Sequence, residues 1–250
     1  MINTNLLELL KYESSEISWC ESKYVYSEYI CEFFNTITGL PYIILGFYGL
    51  YQFNKLTKNR NNLFNITYNT IDQFEYYKMT YKICIFIGLF TMYFHGTLSY
   101  VGQLCDEISI LIFISVLNTT PEYNPLILLL ELPFIIYLPN LNRYFLLLFS
   151  LIRTKNVYLC YNKLQNNDIK KILIRSLYLF AASFLFWIFD MIYCKYLYLS
   201  LHWLWHITSS YAMYYLINFM ICINLNNPYN IKIIYKYFIP HIEHKKYIYN

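Results

Sequence analysis

The chain reads as an all-α polytopic membrane protein, a single bundle of seven transmembrane helices. Three observations lead there. Hydrophobic residues make up 58% of its 250 residues and charged ones only 14%, against about a quarter charged in soluble domains. Apolar runs suited to crossing hydrocarbon recur from Tyr29 to Asn224. Lysine and arginine gather in the loops of one side.

Taken in order, residues 1–28 are polar and acidic. The opening MINTNLLELLKYESSE holds too short an apolar run and too many acids for a signal peptide, so targeting is expected from the first spanning helix. Spanning segments are expected at 29–53, 77–99, 106–119, 125–139, 141–160, 172–192 and 203–224, with 225–250 as a basic tail. Placing the N-terminus in the lumen puts fourteen lysines and arginines in cytosolic segments and four in luminal ones. The expected orientation is therefore N-terminus luminal, C-terminus cytosolic. The sequons at Asn65 and Asn118 then fall in cytosolic loops and stay unglycosylated. The lysine-rich loops and tail suit anionic lipid headgroups, and His241 and His244 in that tail are expected to be solvated or in contact with them.

The seven cysteines show no CxxC spacing, which excludes a zinc knuckle. Cys20 and Cys31 lie close together in the luminal segment and are a candidate pair in an oxidising compartment. No glycine-rich nucleotide loop and no nucleic-acid motif is present.

Ionisable groups inside apolar segments are costly and mark function. His202 and His206, in HWLWHITS, are four apart and share one helical face. Either alone is an ordinary interfacial histidine beside Trp203 and Trp205, and His95 alone a histidine bonded to a carbonyl. With the orientation above, however, His95, Asp106, Asp190, His202 and His206 fall at one depth near the luminal surface. That convergence points to a catalytic zinc site with three protein ligands and an open position for water. Thr91, four before His95, is expected beside it, against the plain alternative of a bond to its own helix. Asp106 and Glu107 also have a plain reading, as carboxylates at a helix N-terminus. Asp190 is either a helix-end carboxylate or a partner fixing a histidine tautomer.

WCESKYVYSEYICEFFNTITGLPY, FHGTLSYVGQLCDEISIL, FLFWIFDMIYC and HWLWHITS resemble, in order and spacing, the signature blocks of the alkaline ceramidases. These are seven-helix zinc amidases of the endoplasmic reticulum and Golgi, in a superfamily with the progestin and adipoQ receptors. The resemblance covers about residues 15–225. It implies that His95, His202 and His206 ligate zinc, that Asp106 handles the proton of the attacking water, and that a ceramide is hydrolysed to a sphingoid base and a fatty acid. Thr91 stands where the family has a serine, and Ile188 where it has an asparagine. The family's calcium pattern falls on Ser18, Trp19, Glu21, Lys23 and Glu32. Trp19, Glu21 and Glu32 match it, whereas Ser18 replaces an aspartate and Lys23 an asparagine. A lysine is no ligand for calcium, and the Lys23 ammonium is expected between Glu21 and Glu32 in its place. The alternative is an adipoQ-type lipid receptor with structural zinc. The short acidic N-terminus and its luminal placement favour the enzyme.

Overall fold

A computed structural model describes residues 6–58, 70–116, 142–197, 200–224, 231–236 and 239–244. These form helices α1 (Leu6–Leu9), α2 (Phe33–Ile37), α3 (Leu40–Thr57), α4 (Thr70–Thr97), α5 (Tyr100–Val116), α6 (Asn142–Lys163), α7 (Asn167–Leu197) and α8 (His202–Asn224). A two-stranded antiparallel sheet, β1 (Ile231–Lys236) and β2 (Ile239–His244), follows. The protein is mostly helical, and two stretches, Phe33–Thr57 and Asn167–Cys194, are long and apolar enough to cross a membrane. The expected spans other than 125–139 coincide with α2–α3, α4, α5, α6, α7 and α8; segment 125–139 and both sequons lie outside the described residues.

Helices α3 and α4 keep an apolar stripe on the outside. Ile44, Phe47 and Tyr51 on α3, and Phe86 and Leu89 on α4, are exposed at helical spacing. Such stripes suit hydrocarbon, where no water penalises them. The interior includes several buried tyrosines, some of whose hydroxyls meet backbone carbonyls. Tyr77 donates to the Met220 carbonyl (3.0 Å) and Tyr76 to that of Val116 (2.5 Å).

Helices α3 and α4 approach backbone to backbone. A Cβ on Gly88 would sit 2.6 Å from the Gly39 carbonyl oxygen, and one on Gly39 would sit 2.8 Å from that of Gly88. Gly102 does the same for α5, where a Cβ would lie 2.9 Å from Phe94 Cα. Ser99 starts α5, its hydroxyl accepting the Gly102 N–H at 3.1 Å.

The sheet departs from the all-α expectation. The tail's isoleucines and Tyr235 are β-formers, and Ile231 pairs with His244 through to Lys236 with Ile239. His241 is likewise not solvated: it is 4% exposed, with the Tyr48 hydroxyl 2.8 Å from Nε2. Arg175 lies over the Tyr235 ring at 4.1 Å, which fixes the hairpin beside the start of α7.

Candidate active site

α4 ends with His95 in its last turn, and α8 begins with His202. The α4–α5 turn passes through Leu98, a non-glycine residue at φ 49°. It folds α5 back so that Asp106 faces Thr91, whose hydroxyl donates to Asp106 Oδ1 at 2.5 Å. Thr91 therefore bonds across to α5 and not to its own helix. Asp106 lies beyond the first turn of α5, which carries no acid. The plain reading as a helix-end carboxylate therefore loses its basis.

The three imidazoles come together. Potential ligand atoms of His95, His202 and His206 all lie within 4.8 Å of one another, and all three residues are buried. Each ring has a supporting contact. His95 Nδ1 meets Glu32 Oε2 at 2.6 Å, so the ring's Nε2 is left buried without a partner. The Thr38 hydroxyl donates to the Phe34 carbonyl (2.7 Å) and so accepts from His206 Nδ1 at 3.0 Å. His202 lies flat against Trp19, centroids 3.6 Å apart, with Nδ1 buried and unpaired. Buried polar atoms without partners are costly, and three imidazoles around one point, two of them held through Nδ1, make a donor set that suits zinc. The residues fit that metal.

The calcium pattern is depleted, with a serine at position 18 and a lysine at position 23. Calcium takes six to eight oxygens, yet all four oxygens of Glu21 and Glu32 already accept N–H groups. Glu21 takes the amides of Phe34 (2.6 Å) and Asn35 (2.8 Å) at the start of α2. Burial pushes its carboxyl above the usual range, and those amides oppose the shift. Glu32 takes Trp19 N (3.0 Å), Asn35 Nδ2 (2.9 Å) and His95. Lys23 does not lie between them. Its ammonium reaches Glu13 at 2.7 Å on the surface and holds that carboxyl below its usual range.

Residues 13–23 form a strap beside the imidazoles. Its start is laddered to the α4–α5 turn, Glu13 N to Thr97 O (3.0 Å) and Ser15 N to Leu98 O (2.8 Å). Its far end is fastened by a disulfide between Cys20 and Cys194. Cys31, the partner expected from proximity, is buried with its thiol 2.9 Å from the Tyr24 hydroxyl. Asp190 does not fix an imidazole either. It accepts the backbone N–H groups of Cys20 (3.1 Å), Leu201 (2.6 Å) and His202 (3.1 Å), tying the strap to the first residues of α8.

A cavity of about 490 Å³ opens beside the site, with Trp19, Asp106, Glu107, Asp190 and His202 on its wall. A smaller cavity of about 80 Å³, lined by residues such as Phe113, Leu177 and Leu216, lies against it. The two share Ile110, Ile114, Phe184 and Trp205. Sequence reasoning missed Thr38, the His95–Glu32 pairing and Cys194. Cys194 alone left a signal, a cysteine four residues after Asp190 in one of the motif blocks.

Comparison with known proteins agrees with this picture. The ceramidase family model matches residues 11–243. Alkaline ceramidase 1 of Homo sapiens is 29% identical over 236 residues, covering 83% of this chain and 82% of that protein. The alkaline ceramidase of Caenorhabditis elegans is 30% identical over 241 residues, covering 86% and 83%. That of Drosophila melanogaster is 27% identical, covering 83% and 76%. With the family model spanning nearly its whole length, this chain belongs to the ceramidase family.

Proposed function

We propose that the protein is a zinc-dependent ceramidase that cleaves the amide of ceramide to a sphingoid base and a free fatty acid, within the membrane. The observation that carries the mechanism is the buried cluster of His95, His202 and His206, of which His202 lines the cavity that also holds Asp106. When bound there, zinc supplies an acidified water and a Lewis acid for the amide carbonyl.

The chain's own residues do the rest. Glu32 and Thr38 fix His95 and His206 through their Nδ1 atoms. Asp106 takes the proton of the attacking water and returns it to the leaving amine, converting a poor leaving group into a good one. Thr91 holds the Asp106 carboxylate in place through its hydroxyl. The smaller apolar cavity accepts a hydrocarbon chain, and the strap covers the site from its polar side. No step in this reading depends on calcium.

The seven-helix count, the division into a luminal segment 1–28, a hydrolase bundle 29–224 and a cytosolic tail 225–250, and residence in the endoplasmic reticulum or Golgi belong to this reading. The Cys20–Cys194 disulfide supports it, since such bonds persist in an oxidising lumen.

The test is His206→Ala. The variant inserts in membranes, loses ceramide hydrolysis and binds less zinc. Full activity of metal-depleted His206→Ala protein would sink the mechanism.

A further inference from the structure

Trp19 carries a donor that the fold does not use. Its indole nitrogen Nε1 is buried and has no hydrogen-bond partner among the described residues, although the residue lines the large cavity. Everything else about Trp19 is fixed. Its backbone N–H is held by Glu32 at 3.0 Å, and the next residue is locked by Asp190 and the disulfide to Cys194. The ring stacks on His202 at an interplanar angle of 13° and leans on Trp187 at 6.2 Å. A phenylalanine would satisfy those ring contacts equally well. The indole N–H can only donate, so an acceptor must come from elsewhere.

We propose that Trp19 Nε1–H donates to a hydroxyl on the sphingoid head of the substrate, making Trp19 a specificity-determining residue. This rests on the ceramidase reading above and deepens it. A ceramide offers two kinds of oxygen at this depth, the amide carbonyl and the head hydroxyls. The carbonyl belongs at the imidazole cluster, where the bond is broken. Trp19 sits on the strap with Ser18 and Glu16, which line the same cavity. A head group reaches that wall, and a hydrocarbon chain leaves through the apolar cavity. A site built to bond a hydroxyl rejects the analogue that lacks it, because its own polar group is left bare.

The experiment uses the full-length, zinc-loaded protein with ceramide and its 1-deoxy and 3-deoxy analogues. Wild type should prefer ceramide over one of the two by roughly 10- to 100-fold in kcat/KM, and that analogue identifies the hydroxyl. Trp19→Phe should lower kcat/KM for ceramide by about 10-fold, leave the identified analogue unchanged and so erase most of the preference. Zinc content and thermal midpoint should stay as in wild type. An equal loss on all three substrates, a loss that tracks zinc content, or no loss at all would overturn the proposal. Should Trp19→Phe fail to fold, the wild-type ratios decide, and ratios near one for both analogues overturn it. A wild-type protein that hydrolyses no ceramide would instead bring down the underlying functional reading.

Discussion

Glu32→Gln isolates the contact that supports the metal centre. Glu32 is fully buried and accepts three N–H donors, from His95 at 2.6 Å, Asn35 at 2.9 Å and Trp19 at 3.0 Å. Glutamine keeps the shape but replaces one oxygen with an NH₂. In either orientation of that amide, at least one donor faces another donor. The unmet N–H costs about 1–3 kcal/mol of stability. Loss of the carboxylate also makes His95 a poorer ligand. Partners of this kind are worth about 10- to 100-fold in metal affinity, or roughly 1.4–2.7 kcal/mol. Competition with a fluorescent zinc chelator reads the affinity directly, and hydrolysis across a range of free zinc should shift by the same factor. Glu21→Gln is the internal control. Glu21 bonds only α2 amides among these groups, so zinc affinity should not move. A Glu32→Gln protein within twofold of wild-type zinc affinity would refute the assignment.

Three further outcomes are expected. Asp106→Asn should cut hydrolysis by about two to four orders of magnitude with zinc retained, and a loss under tenfold would return Asp106 to a structural role. With free zinc clamped, calcium-selective chelation should change neither the thermal midpoint nor hydrolysis, while Ser18→Asp with Lys23→Asn should make the midpoint rise with calcium; a calcium-dependent midpoint in wild type would show that the site had been misjudged. A sequon engineered into residues 1–14 should acquire a glycan, with Asn65 and Asn118 bare. Glycan on Asn118 would invert the orientation and remove the common depth of the site residues.

The imidazole cluster was legible because two of its members share a helical face and the third falls at the same depth once the helices are oriented. The role of Glu32 was not. A pattern of carboxylates shows which acids lie near the N-terminal segment but not which donors each one meets. Only packing brings His95 to an acid 63 residues earlier. Lys23 was misplaced for the related reason that a long flexible cation settles on whichever carboxylate is exposed, and Glu13 is. Nearness along the chain pointed to Cys31, whereas the disulfide closes a separation of 174 residues. The hairpin escaped because isoleucine, tyrosine and lysine alternate irregularly in a tail that composition alone marks as basic, and its register is set against tyrosines of other helices.

The disulfide and the late histidines also dictate when in the life of the chain this centre exists. Cys20 and His95 leave the ribosome early, but Cys194 lies near the end of α7, and His202 and His206 arrive later still on α8. A nascent chain halted before α8 presents a solitary imidazole and, short of Cys194, an unfastened strap. On the proposed mechanism, amidase competence is therefore conferred among the last steps of biosynthesis, and chains terminated before α8 are inert however well their helices insert.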